Sequence, residues 1–404
     1  MLLDSKKVLK EGIFERTFED RVDIIKCNIT TMLSVRLSKK VTIASFRRMK
    51  MSSFSTLQKD DDDCYRLGLT GGSGLLGTAI LDELSKHAYI DEKPVKVIQF
   101  VRSSSSSTKE EKTNNNDSLV PPVQEVLWNP KNRENVWIDD STKEIVNSLD
   151  GMIHLAGENI GTSSFLPSPL NKLGIHAWTD SKKKEILASR IGPTQAIAEN
   201  MSSTSTLLTA SGISIYGQDF IGPNVNMADE SSPVSTADDF LVQVSHEWEA
   251  ASTGGKSERV VNLRIAPVLS KYGGALEKLY PIFFMGGGGR VGNGQQWFSY
   301  ISSRDAARAI LYTLSNPAMK GPVNLCAPTP CTNHEFTTAL GTALSRPTFV
   351  PLPAFIVQLM FGQMGQEILL GGVKASPQIL LQNGFEFQHS TIDQAIHSAL
   401  TETI

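Results

Sequence analysis

The run Thr70-Gly71-Gly72-Ser73-Gly74-Leu75-Leu76-Gly77 has the make-up of a loop that holds a diphosphate through its own backbone. Gly71 can take a backbone angle closed to other residues, and Gly74 lets the main chain approach a pyrophosphate closely. Gly77 lets a following helix pack tightly against the strand before it. The short apolar stretch Tyr65–Thr70 in front reads as a buried strand, and Thr78 to Leu84 behind has helical spacing. A helix that begins here offers free N–H groups and a partial positive charge to an anion. The placement between strand and helix separates the run from a chance glycine turn.

A second strand, Val95 to Val101, ends in Gln99-Phe100-Val101-Arg102-Ser103. An acid at that place would bind a ribose 2′-hydroxyl, whereas an arginine accommodates a 2′-phosphate. There is no acid, and Arg102 carries the planar guanidinium that matches phosphate geometry. The expectation is NADP(H) in preference to NAD(H); the alternative is a surface arginine at a strand end. Glu158 follows the apolar run Gly151 to Ala156 and Gly157, near where a nicotinamide would lie, so it reads as a proton carrier or as a rim carboxylate. His154, inside that run, reads as a core residue. The glycine run Gly286 to Gly289, followed by Arg290, Gln295, Gln296 and Trp297, reads either as a grip on a polar ligand or as a tight loop packing Trp297. Four scattered cysteines have no zinc spacing, so no metal is expected.

These groups need a frame. Further strands are expected at Glu125 to Trp128, Gly151 to Ala156, Thr206 to Ser211 and Val260 to Ile265. Helices are expected at Lys182 to Met201 and Asp238 to Ser252. Alternating strands and helices mean an α/β chain with a Rossmann-like, doubly wound parallel sheet. Helical segments at residues 333–346 and 354–370 suggest a small, partly helical C-terminal lobe. The expected division is 65–270 for the dinucleotide domain, with a low-complexity insertion at 103–122 and a return of 300–327. Residues 271–299 and 328–404 make the smaller substrate-side domain. Residues 1–64 differ: from Met32 to Lys59 there is no acid among many basic and hydroxyl residues, the composition of an organelle transit segment or of a basic disordered tail. On the first reading Met32 is the better start and the protein is mitochondrial or plastidic; otherwise it is cytoplasmic. A chain of 404 residues at net charge −3 gives no reason to expect nucleic acid as partner, and no apolar stretch reaches transmembrane length.

The glycine run resembles the TGxxGxxG loop of extended short-chain dehydrogenases/reductases. Further motifs narrow the likeness: Ile153-His154-Leu155-Ala156-Gly157-Glu158-Asn159-Ile160, Trp178-Thr179 with Ser189-Arg190, Gly292 to Ser299, Gly321-Pro322-Val323-Asn324 with Ala327-Pro328, and Asn383 to Phe387. Together, from about residue 65 onward, they resemble the atypical "epimerase family protein" group, NAD-dependent epimerase/dehydratase-like with its own C-terminal domain, which includes the plant giant-chloroplast protein. The resemblance implies cofactor contacts from Thr70 to Gly77, from Leu155, Ala156 and Gly157, from Ser211 with Gly212, and from Arg264 with Pro267. The superfamily's reaction uses a tyrosine with a lysine four residues on, the lysine lowering the phenol's pKa. The matching stretch, Asp239 to Glu249, holds neither. Ser211 remains as the group that would steady a substrate carbonyl or hydroxyl, and His246 stands as a substitute acid/base or an exposed helix histidine. Related sequences often read Trp-Ile-His where this one reads Tyr300-Ile301-Ser302.

Two functions follow. One is an NADP(H)-dependent oxidoreductase or epimerase acting on a small polar metabolite. The other is a dinucleotide-binding regulator or scaffold without chemistry that works through a protein partner, for instance in organelle division.

Overall fold

The structure, a computed structural model, describes residues 64–102, 121–132, 136–161 and 178–402. The transit-like segment Met32 to Lys59 and all but the last two residues of the insertion 103–122 lie outside the described residues.

In chain order the elements are β1 (Tyr65–Thr70), α1 (Leu75–Lys86), β2 (Tyr89–Ile90), β3 (Lys93–Arg102), β4 (Val123–Trp128), α2 (Asp140–Asn147), β5 (Gly151–His154), α3 (Asp180–Asn200), β6 (Thr206–Gly212), α4 (Phe240–Thr253), β7 (Arg259–Ile265), β8 (Val268–Leu269), α5 (Gly274–Phe284), β9 (Trp297–Phe298), β10 (Ile301–Ser302), α6 (Ser303–Ser315), β11 (Gly321–Leu325), β12 (Cys331–Thr332), α7 (Asn333–Ala343), α8 (Ala354–Gly365), α9 (Gln378–Gln382) and α10 (Ile392–Thr401). The main sheet runs β4-β3-β1-β5-β6-β7-β11, every neighbouring pair parallel, with β2 antiparallel on the first residues of β3. Strand order reverses between β1 and β5. That crevice is where a doubly wound sheet takes its ligand.

The sheet is buried on both faces because successive side chains alternate. Met152 and Leu207 join Ile98, Phe100 and Trp128 beneath Ile197 and Met201 of α3. Their neighbours Ile153 and Leu208 join Leu67 and Leu69 on the opposite face, under Ile80 and Leu84 of α1 and Ile310 and Leu314 of α6. The helices begin where hydroxyl or carboxylate side chains accept their first N–H groups: Asp139 for α2, Thr179 for α3, Ser302 for α6. Thr332 and Thr391 make full capping boxes for α7 and α10.

The helices α2, α5 and α6 are not among the expected elements, and two further segments differ from the expectation. Residues Gly321–Leu325, quoted above only as a motif, form β11 on the sheet edge. Pro322 lacks an N–H, which an edge position tolerates. The helical segment 354–370 is broken: Gly362 takes φ 53° inside α8, and residues 366–370 continue as a wider π-helical turn.

Candidate functional site

The glycine loop closes tightly on itself. The Gly74 N–H donates to the Gly71 carbonyl at 2.9 Å, and Gly71 holds φ +71°. A side chain on Gly71 would meet the backbone of Leu155 and Ala156 at 3.1–3.2 Å, so the turn lies directly against the loop that leaves β5. A β-carbon on Gly77 would stand 2.3 Å from the Gly71 carbonyl oxygen. The last glycine thus clears space for the loop's own backbone, more than for the strand that the sequence reading expected it to meet. Ser73 and Gly74 are exposed, Leu75 and Leu76 half-buried, and α1 has no side-chain cap on its first turn. The start of α1 therefore has the character of an anion site, and a backbone cradle that side chains would fill fits a diphosphate.

Thr70 locks this arrangement to β5. Its hydroxyl accepts the N–H groups of Leu155 and Ala156 at 3.1 and 3.2 Å and lies 2.7 Å from His154 Nδ1. With both lone pairs engaged, the hydroxyl proton points to Nδ1, which assigns the imidazole proton to Nε2. Burial, seconded by the charge of Arg190, pushes His154 down to about 3, so it is a neutral core group. Arg190 runs beneath Gly157, donates to the Glu158 carbonyl at 3.0 Å and stacks on Trp248. Its burial lowers it to about 10, still a cation at neutral pH.

Arg102 stands exposed at the end of β3, as the strand reading requires. Glu158, expected as a proton carrier or a rim carboxylate, is engaged by a lysine of α3. The charges acting on it are Lys182, Lys131 and Arg102; Arg102 is the last residue of β3, and Lys131 follows the end of β4. Its N–H is fixed by Ser189 Oγ at 2.9 Å, and its carboxylate accepts from Lys182 Nζ at 2.8 Å. Burial works to raise Glu158, but the Lys182 bond and charge, with Lys131 and Arg102, outweigh it and hold the carboxyl below its ordinary range. Lys182 is 3% exposed and also lies 3.6 Å from Glu185, which reaches Lys131 at 3.7 Å. Sequence reading had no means to single out Lys182, one of three consecutive lysines on α3.

The residues carried over from the superfamily's reaction are held elsewhere. Ser211 donates to Glu249 at 2.9 Å. The same carboxylate takes two bonds from Arg264, whose remaining arm donates to Tyr216, and Tyr216 donates to Asn324. Burial, only partly offset by Arg264 and Asn324, pushes Tyr216 up to about 12. Ser211 and Arg264 thus belong to a buried internal network, and a ligand could recruit them only by breaking it. Pro267 contributes its carbonyl to Ile301 at 3.1 Å. His246 donates Nε2 to the Ser235 carbonyl at 2.8 Å, a structural contact on another side of α4. At the start of α4, Phe240 packs edge-on against Trp178 at 5.0 Å, so an aromatic cluster occupies the region where the reactive phenol was sought. The Phe240 and Leu241 N–H groups donate to Glu367, a carboxylate 4% exposed that arrives from the C-terminal part. A hydroxyl pair that the sequence reading missed, Ser214 and Ser245 at 3.1 Å, crowds the space beside Gly212. Nothing in its spacing marked it.

The glycine-rich substrate-side loop is mostly self-supporting. Gln296 donates to the carbonyls of Val291 and Leu369, and Trp297 donates to Gly222 while Lys374 sits 4.0 Å over its ring. Arg290 and Gln295 are exposed. Of the four residues, these two are available to a ligand. Among the described residues no cluster of His, Cys, Asp and Glu could hold a metal, and no helix is long and apolar enough to cross a membrane.

Comparison with known proteins agrees with this geometry. The profile of the NAD dependent epimerase/dehydratase family matches residues 68–326, and a domain of unknown function matches 352–399. An epimerase family protein of Mycobacterium bovis is 32% identical over 339 residues, 83% of this chain and 97% of that one. A chloroplastic epimerase family homologue of Arabidopsis thaliana is 37% identical over 197 residues, 48% of this chain and 55% of its own length. The solved structure of a human epimerase family protein with NADPH superposes with a TM-score of 0.64 at 27% identity, covering 83% of this chain and all of that one.

Proposed function

The chain belongs to the NAD dependent epimerase/dehydratase family, as an atypical extended short-chain dehydrogenase/reductase with its own C-terminal domain, and on that premise we propose that it is an NADP(H)-dependent oxidoreductase or epimerase of a small polar metabolite. The observation that carries the reading is Arg102 at the end of β3, the strand paired with the β1 that leads into the open start of α1, with no acid at that strand end. The human relative solved with NADPH supports it. Gly71 to Gly77 and the start of α1 would hold the diphosphate, Arg102 the 2′-phosphate, and Leu155 to Gly157 the inner ribose side. The nicotinamide supplies hydride donation or acceptance when bound. The chain's own residues bind and orient it, and Thr70 keeps the two loops in register. The proton that accompanies hydride movement has no tyrosine to carry it at the start of α4, so a substrate group or a neighbouring hydroxyl such as Ser214 takes that part. Arg290 and Gln295 are the exposed polar groups of the substrate-side loop.

Calorimetric titration with NADPH and NADH tests the cofactor. Tight NADPH binding, weakened about a hundredfold in Arg102→Asp with NADH little changed, is the expected result. Equal affinity for both nucleotides would end the NADP(H) reading. A second reading has its own support: the aromatic packing of Phe240 and the cap by Glu367 are features a scaffold could retain without turnover. In that reading the protein is a dinucleotide-binding regulator, and its partner is another protein. NADPH oxidation across a panel of carbonyl metabolites separates the two. The transit-like composition of residues 32–59 and the chloroplastic relative support an organelle as the place of action. A fluorescent fusion of the first 64 residues tests it.

A further inference from the structure

The acid that normally reads a ribose 2′-hydroxyl is missing from the end of β3, yet a carboxylate that follows β5 is tied toward that corner by ion pairs, Glu158 to Lys182, Lys182 to Glu185 and Glu185 to Lys131. Gly71 lies against the backbone of Leu155 and Ala156, so Glu158 leaves β5 beside the glycine loop, and Arg102 and Lys131 are both among the charges it feels. β3 and β4 pair in register at Arg102 and Trp128, with Lys131 three residues beyond. The corner therefore holds groups for either nucleotide: cations for a 2′-phosphate and a carboxylate for a 2′-hydroxyl. One contact decides between them. Lys182, almost wholly buried, binds the Glu158 carboxylate at 2.8 Å, and its other carboxylate neighbour, Glu185, is shared with Lys131.

We infer that Lys182 is the positioning residue for cofactor choice: it neutralises Glu158 and turns it from the ribose, leaving Arg102 and Lys131 to act on a 2′-phosphate. The formal charges of Arg102, Lys131, Lys182, Glu158 and Glu185 sum to +1, which favours the more anionic nucleotide. Without Lys182 the sum falls to zero and Glu158 is released toward the ribose, where it accepts a 2′-hydroxyl and repels a phosphate. No bond is made or broken in this step. The inference rests on the NADP(H) reading above.

The test is the ratio of NADPH to NADH affinity, by calorimetry, in the wild-type chain, Lys182→Met, Glu158→Gln and the double variant. Lys182→Met lowers the ratio about tenfold, by weakening NADPH and strengthening NADH. Glu158→Gln raises it a few-fold, and the double variant returns to the Glu158→Gln value. A merely structural lysine would weaken both nucleotides by one factor, and that result overturns the inference. So does a double variant that keeps the lowered ratio. Should Lys182→Met fail to fold, Glu158→Gln alone decides: an unchanged ratio there also overturns it. A wild-type chain with no preference for NADPH refutes the cofactor reading itself, a distinct outcome visible before any variant is made.

Discussion

At the scale of the residue, the hydroxyl that the family's chemistry would assign to a substrate is held by a carboxylate. Ser211 donates to Glu249, and Arg264 and Tyr216 complete the network around it. Replacing Ser211 by alanine should therefore act on stability, costing about 1.5–3 kcal/mol for a lost bond to a charged acceptor. NADPH affinity should stay within about twofold of wild type, since a site no group leaves is a site no ligand loses. Urea unfolding alongside nucleotide titration reads both. Intact stability with lost nucleotide binding would restore Ser211 to the cofactor site. The residues legible in the sequence were those whose role is local: Gly71 needs its positive φ within a single turn, and Arg102 announces itself by ending a strand. Lys182 and Glu367 were not legible, because their partners lie 24 and 126–127 residues away and only the folded sheet brings them together.

At the scale of the element, the glycine loop and α1 act as one unit whose fit is set by missing side chains. Gly77→Ala would put a carbon 2.3 Å from the Gly71 carbonyl oxygen, against backbone that cannot swing aside. The loop must then open. Expected are a destabilisation of about 1–3 kcal/mol and loss of most nucleotide affinity, because the N–H groups no longer converge on one point. Thermal melting with and without NADPH measures both. A Gly77→Ala chain that NADPH stabilises as much as the wild type would refute the cradle. The alternation was readable for β1, β3 to β7, α1, α3 and α4, whose strands are mostly apolar runs closed by polar residues, whereas α2 and α6 were not among the expected elements. β11 escaped because Gly-Pro at its start argues against a strand everywhere except at an edge, and edge position is a property of the finished sheet. The break at Gly362 escaped for a different reason: the helix before it, Ala354 to Phe361, is apolar but for Gln358 and gives little period to interrupt.

At the scale of the whole molecule, the C-terminal part is stitched to the sheet through buried carboxylates. Asp305, at the first turn of α6, is fully buried and accepts the N–H groups of Gln388 and His389 and the guanidinium of Arg308. Burial works against its charge, but His389 and those N–H groups outweigh it and hold the carboxyl below the ordinary range. A depressed folded pKa contributes stability that is complete above the unfolded value of about 3.9 and is lost as pH falls through the lower folded value. The chain should hence lose stability steeply below about pH 4, and Asp305→Asn should flatten that limb in pH-dependent urea unfolding. Identical acid limbs in the two proteins would refute the assignment. Glu367 makes the same kind of join at the start of α4. The order of synthesis gives this cap a cost in time. The ribosome releases β5, β6 and α4 well before residue 367, so the nascent sheet waits with the first N–H groups of α4 unanswered. A pause or a premature stop in that interval would leave a half-built domain for chaperones and proteases to find.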